Sequence, residues 1–230
     1  MNEIENLNKI KENYKFDLYK YKEFCIDFTY HTQKIEGSTL TEEENRDLIL
    51  NNNIPEKNHC FVIEHQKHYD LLMRDFIWHE VELTNKLIMG WHWRMFKDTK
   101  PKIAGNLRSW NVGIRGTNVV FPTWNEVPYY LEDFYIWYNN TKGGIHPVYL
   151  AALAHLKFVS IHPFGDGNGR TSRLIMNFIL HKNGYPMLNI PYDDKRNYYY
   201  ALETAQSGKG DWRFVEYIVK KYISYHGDII

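Results

Sequence analysis

The longest apolar run in the chain, Val148 to Ile161, feeds directly into Ile161-His162-Pro163-Phe164-Gly165-Asp166-Gly167-Asn168-Gly169-Arg170-Thr171-Ser172-Arg173. That run is broken by His155 and Lys157 and falls short of the roughly 20 residues a membrane span needs, so it reads as a core helix. A second helical pattern runs from Arg170 to Asn183. The chain is therefore constrained to bring two helices together around a glycine-rich turn. A histidine, a carboxylate and two arginines would then stand at a helix junction, where unpaired backbone N–H groups and the positive helix end attract anions.

Each residue type in this turn suits a phosphate. Gly165, Gly167 and Gly169 recur at every second position and let the backbone take unusual conformations that point N–H groups inward. Asn168 adds a side-chain amide. Arg170 and Arg173 lie three apart on one face of the following helix. Cations in a first turn oppose the helix dipole by about 0.3 to 1 kcal/mol each, so a bound anion is the natural compensation, and two arginines fit a polyphosphate. Asp166 is the hard carboxylate that Mg²⁺ prefers beside phosphate oxygens. His162 can accept a proton from an attacking hydroxyl near neutral pH.

The remaining composition narrows the partners. Lysine plus arginine and aspartate plus glutamate both number 28, which leaves no basic excess for nucleic acid. With no span of sufficient length, no membrane association is expected either. Cys25 and Cys60 form neither a CxxC pair nor a disulfide framework, and Met1-Asn2-Glu3-Ile4-Glu5 lacks the basic and apolar regions of a secretion signal; both favour a reducing, cytoplasmic setting. Competing motifs fail. Gly208-Lys209 has Glu203 where a Walker A loop needs glycine, and His79-Glu80 is followed by Leu83 where a zinc protease needs histidine. His59, His65 and His68 read as solvated positions of an amphipathic helix, ahead of a metal site.

At 230 residues a single domain, 1–230, is expected. Apolar spacings of three and four predict amphipathic helix through residues 4–35, with Gly37 as a stop. Thr41 and Glu44 form a capping-box pattern opening a helix to Leu50. Helices are expected over 56–76, 84–96, 124–140, 147–161, 170–183, 193–206 and 212–225. Between Arg108 and Phe121 the alternation Trp110, Val112, Ile114, then Gly116-Thr117-Asn118, then Val119-Val120-Phe121 predicts a short β-hairpin, the only sheet in a mainly α protein.

The string His162 to Arg173 resembles the Fic-domain signature HPFx(D/E)GNGRxxR at every defining position. The resemblance extends to a hairpin "flap" at 108–122, a helix–loop–helix catalytic core at 146–183 and the Tyr198-Tyr199 helix. It implies a mainly helical protein that transfers AMP from ATP to a Ser, Thr or Tyr hydroxyl of a target protein or of itself, with Mg²⁺ or Mn²⁺, releasing pyrophosphate. Carried onto this chain, it makes His162 the general base and Asp166 the metal ligand. Gly167, Asn168, Gly169 and Arg170 would hold phosphates, and Arg173 the outermost one. Val112, Gly113, Ile114 and Arg115 would lie along the nucleotide and offer an edge strand to the target. Tyr198 and Tyr199 would line its adenine and ribose side. Gln206 stands where the family often has asparagine. Gly169 resembles the AMP-transferring members, whereas phosphate-transferring ones tend to carry lysine there.

Thr32-Gln33-Lys34-Ile35-Glu36-Gly37, within N-terminal helices spanning 1–50, resembles the family's inhibitory motif (S/T)xxxE(G/N). It implies that Glu36 pairs with Arg173 and removes the contact meant for the terminal phosphate, a bidentate geometry that guanidinium favours. The same Glu36 could instead serve hydrolysis of an AMP-modified side chain. A non-catalytic nucleotide-sensing module is the third reading, and the intact His162 argues against it. Exposed apolar residues on the N-terminal helices could also let copies of the chain self-associate.

Overall fold

The structure is a computed structural model that describes residues 2–76, 81–113, 117 and 119–230. Every regular element among the described residues is helical. The chain divides into two compact units, one of residues 1–15, 107–188 and 196–230, the other of residues 16–106 and 189–195.

The first unit contains α1 (Glu3–Asn13), α6 (Val127–Thr141), α7 (Pro147–Ile161), α8 (Asn168–Lys182), nearly all of α9 (Lys195–Thr204) and α10 (Trp212–Tyr225). Helix α7 packs along α8 and against α6 and α10. It is buried almost throughout, from Val148 and Leu150 through Ala154 to Phe158, because its sequence is apolar on nearly every face. Pro147 at the first helical turn and His146 as N-cap, whose Nδ1 accepts from the Val148 N–H at 3.3 Å, fix where it begins. Leu7 and Ile10 seat α1 in the same unit, and the Asn13 side chain donates to the Ile229 carbonyl at 2.8 Å.

The second unit contains α2 (Leu18–Ile35), α3 (Glu42–Asn51), α4 (His59–Leu71) and α5 (Asn85–Phe96). Here α2 packs on α3 and α4, and α4 on α5. The capping box expected at Thr41 is present, with Glu44 N–H donating to Thr41 Oγ1 at 3.1 Å and Thr41 N–H to Glu44 Oε2 at 2.8 Å.

Three expectations are corrected. The helical pattern through residues 4–35 is two helices, because Asp17 takes an extended conformation and accepts the Lys20 N–H at 2.8 Å, an N-cap that starts α2 afresh. His65 and His68 are not on a solvated face. Both are fully buried and hydrogen-bonded, His65 to Asn45 at 2.6 Å and Ser38 at 2.8 Å, and His68 to Thr29 at 2.8 Å; only His59 is exposed. The β-hairpin at 108–122 is not seen: its described residues, including Val112, Gly113 and Val119 to Phe121, form no strand, and Ile114, Arg115, Gly116 and Asn118 lie outside the described residues. In the described part, the two ends of the segment are held by the buried Arg108 guanidinium in place of a strand ladder: it donates to the carbonyls of Trp110 at 2.9 Å and Pro122 at 2.6 Å.

Candidate functional site

His162 closes α7 as its C-cap in the left-handed region (φ 52°, ψ 55°), where a non-glycine residue is strained by about 1 to 2 kcal/mol. Its backbone is held from two sides. The His162 N–H donates to the Phe158 carbonyl at 3.2 Å, and the His162 carbonyl accepts from Arg108 Nε at 2.8 Å. The Arg108 N–H adds a bond to the Pro163 carbonyl at 2.9 Å. The imidazole Nδ1 lies 3.2 Å from the Val159 carbonyl. A carbonyl can only accept, so Nδ1 carries the hydrogen and the basic lone pair of the neutral ring sits on Nε2. Phe121 backs the ring, centroid to centroid at 4.4 Å.

The loop that follows is clamped by Asn168. Its Oδ1 accepts the Phe164 N–H and its Nδ2 donates to the Phe164 carbonyl, each at 2.9 Å, and the residue is buried. The side-chain amide is thus occupied inside the loop, and what Asn168 presents at the helix start is its backbone N–H. Of the three alternating glycines, only Gly167 takes a positive φ, 81°, as N-cap of α8. That conformation starts the helix two residues earlier than the sequence pattern suggested. Asn168, Gly169 and Arg170 therefore form the first turn, whose backbone N–H groups have no intrahelical acceptor.

Asp166 stands at this helix end with its side chain 43% exposed, its Oδ1 accepting the Gly167 N–H at 2.5 Å and Arg170 Nη2 at 3.3 Å. Arg170 and Arg173 are both buried. Arg173 Nη1 donates to the Tyr198 hydroxyl at 3.3 Å, and its guanidinium carbon lies 5.8 Å from the centroid of that ring.

Tyr198 is fully buried, and its hydroxyl meets Arg173 and His155, whereas Tyr199 is 38% exposed. Gln206 follows α9 and donates from Nε2 to Ser160 Oγ at 3.2 Å, two residues before His162. Beside these groups a cleft of about 710 Å³ opens between α6 and α7, lined in part by Phe121, Tyr130, Trp137, Lys157 and Ser160. The first unit thus brings together His162, Asp166 to Arg173, Tyr198 and Gln206. Val112 and Gly113 belong to it as irregular chain, and Ile114 and Arg115 fall outside the described residues.

Thr32 and Glu36 belong to the second unit, at the end of α2. Thr32 is buried, and Glu36 is the C-cap, followed by Gly37 at φ 98°, a conformation suited to glycine. The surrounding chain is held tightly. Gln33 Nε2 donates to the Glu64 carbonyl at 3.1 Å, Lys195 Nζ to the Ile35 carbonyl at 2.6 Å, and Ser38 Oγ meets His65 Nε2 at 2.8 Å.

Four residues around the loop were not singled out from the sequence: Arg108, Phe121, His155 and Ser172. Arg108 and Phe121 carry no signal short of tertiary structure. His155 had one, since it is seven residues before His162, two helical turns on the same face of α7.

A sequence profile of the Fic/DOC family matches residues 82–180. The protein adenylyltransferase Fic of Drosophila ananassae is 35% identical over 194 residues, covering 81% of this chain and 38% of that protein, so the chain spans well under half the length of the curated relatives it matches. A Fic-domain-containing signaling protein from Bacteroides thetaiotaomicron superposes with a TM-score of 0.87 over 99% of this chain and 94% of that one, at 27% identity. Fic-1 from C. elegans gives 0.85 over 99% and 70%, at 28% identity. Together with the loop geometry, these likenesses establish that the chain carries a Fic domain, has the helical Fic fold and is homologous to the protein adenylyltransferases Fic.

Proposed function

We propose that this chain is an autoinhibited protein adenylyltransferase, with residues 1–230 acting as one Fic domain that transfers AMP from ATP to a Ser, Thr or Tyr hydroxyl of a protein. The observation that carries the reading is His162, whose Nδ1–H faces the Val159 carbonyl so that Nε2 is left as the base, next to a helix N-terminus with two arginines. In the reaction, Nε2 takes the proton of the target hydroxyl as its oxygen attacks the α-phosphorus. The bond to the bridging oxygen breaks, and its electron pair leaves with pyrophosphate. Backbone N–H groups of the α8 first turn and Arg170 stabilise the charge that develops on the phosphates, and Arg173 holds the outermost one. The substrate's nucleoside would run past Tyr199 and Gln206 toward Val112 and Gly113.

Asp166 suits Mg²⁺ or Mn²⁺. It is a half-exposed carboxylate at the phosphate-binding helix end, and no group of three or more metal-ligating side chains occurs among the described residues. Phosphate oxygens and water would complete the shell of an ion held this way. Once bound, the ion would neutralise phosphate charge.

Glu36 is the brake in this reading, competing with the terminal phosphate for Arg173. The matched motif from Thr32 to Gly37, with Glu36 as C-cap of α2, supports it. A charge-assisted bond of about 1.5 to 3 kcal/mol corresponds to roughly ten- to a hundredfold suppression. Cys25 and Cys60, both free thiols, are consistent with work in the cytoplasm. The test uses ATP labelled at the α- or the γ-phosphate. Glu36→Gly should incorporate the α-label at least tenfold faster than wild type and the γ-label not at all, and Glu36→Gly/His162→Ala neither. Transfer of the γ-label, or full activity without His162, would refute the assignment.

A further inference from the structure

We infer that His155 is a positioning residue that sets the Arg173 guanidinium for the outermost phosphate, working through Tyr198 and Ser172. The proposal rests on the phosphate-site reading of Arg173 given above. His155 is completely buried on α7 and belongs to no catalytic step. Its Nε2 lies 3.0 Å from the Tyr198 hydroxyl and 3.1 Å from Ser172 Oγ, and its ring stacks on Phe214 at 4.8 Å.

The hydrogens can be assigned. Ser172 Oγ lies 2.9 Å from the Gly169 carbonyl, which can only accept, so the single hydroxyl hydrogen goes there. Toward His155, Ser172 must then accept, which places the imidazole hydrogen on Nε2. The Tyr198 oxygen shares that hydrogen and also accepts from Arg173 Nη1 at 3.3 Å. Arg173, Tyr198, His155, Ser172 and the Gly169 carbonyl thus form one chain of contacts joining α7, α8 and α9.

This chain has direction and a cost. Burial, and secondarily the nearby Arg173 charge, hold the His155 pKa well below the ordinary value, so the ring stays neutral and does not repel the guanidinium. In the Nε2–H tautomer, Nδ1 is an acceptor, and it is buried without a hydrogen-bond partner. An unsatisfied buried acceptor costs about as much as a lost hydrogen bond, and an apolar residue would avoid that cost. What an apolar residue cannot do is fix the Tyr198 hydroxyl under Arg173. A long side chain with four rotatable bonds gains most from such a fixed acceptor when it must meet a ligand in one orientation.

The experiment measures equilibrium affinities for ATP and for AMP, with thermal unfolding alongside, in the full chain carrying Glu36→Gly. Adding His155→Leu should weaken ATP about tenfold while AMP stays within about twofold, because only ATP reaches Arg173. Tyr198→Phe should do the same. His155→Gln, which keeps an N–H donor near the Nε2 position, should restore ATP affinity. The proposal is overturned if ATP and AMP weaken together, or if His155→Leu lowers the unfolding temperature and leaves the ATP to AMP ratio unchanged. Arg173→Ala separates the layers. If it abolishes the preference for ATP while His155→Leu does not, the positioning role alone falls; if it leaves the preference intact, the phosphate-site reading falls and takes the proposal with it.

Discussion

At the scale of single residues, the loop holds its shape because one polar member, Asn168, is spent on it. Asn168 satisfies both the N–H and the carbonyl of Phe164, a residue with no exposed surface. Replacing Asn168 with alanine removes the side chain that bonds both groups, at about 1 to 3 kcal/mol each. For a chain of this size the expected fall in unfolding temperature is roughly 5 to 15 °C. Asn168→Asp should be nearly as damaging, since one carboxylate oxygen would face the Phe164 carbonyl. Thermal unfolding of both variants without nucleotide checks this; unaltered stability with weakened ATP binding would show that the amide serves the ligand instead. From the sequence, the carboxamide in a glycine-rich turn is expected to contact phosphate. Its actual partner was not legible there, because a bond between positions 164 and 168 depends on the turn that Gly167 makes with its positive φ.

Among the secondary-structure elements, Arg108 ties the end of α7 to the segment between Trp110 and Pro122 through the carbonyls of His162, Trp110 and Pro122. Methionine fills similar volume and offers no donor. If the proposed reaction holds, Arg108→Met should lower kcat for AMP transfer about ten- to a hundredfold in the Glu36→Gly background, because displacing His162, the proposed base, by a fraction of an ångström is costly, while KM for ATP changes a few-fold at most. A rise in KM with kcat unchanged would place Arg108 in nucleotide binding instead. The same residue explains what was hidden. Helices α7 and α10 appear at their expected bounds, since proline and apolar periodicity are local signals. The alternation from Trp110 to Phe121 is equally regular, yet in the described part a buried guanidinium, not a ladder, holds the ends of the segment through the carbonyls of Trp110 and Pro122. Alternation records which residues favour extended chain, and it carries no information about a guanidinium arriving from outside the pattern. The break between α1 and α2 was readable in principle, for Asp17 stands three residues before the N–H it caps, but the apolar spacing continues across it.

For the whole molecule, two histidines buried in the first unit couple stability to acidity. Burial pushes His226 down to about 4, partly opposed by its bond to the Met187 carbonyl at 3.1 Å, and His155 lies well below its ordinary value. Both are neutral in the folded chain, while in the unfolded chain they protonate near the ordinary histidine pKa of about 6.5. Protonation therefore favours unfolding. The stabilisation is fully present above about pH 6.5 and is lost as pH falls toward the folded value, which for His226 amounts to on the order of 3 kcal/mol by about pH 4. Carboxylates held below their ordinary range, such as Glu44 by the Thr41 N–H and Asp47 by Asn51 and Asn53, have the same sign but act only near and below about pH 4. Between about pH 4.5 and 6.5 the lowered histidines, His31 and His146 among them, are opposed by Asp27, whose carboxyl burial raises, so the contribution of His226 is read from the difference between wild type and a His226 variant. Unfolding temperatures measured across this interval should decline more steeply for wild type than for His226→Gln, which can keep a donor to Met187 without taking up a proton. Equal slopes for the two proteins would mean that His226 is not the group responsible, and that the acid sensitivity of the fold arises elsewhere.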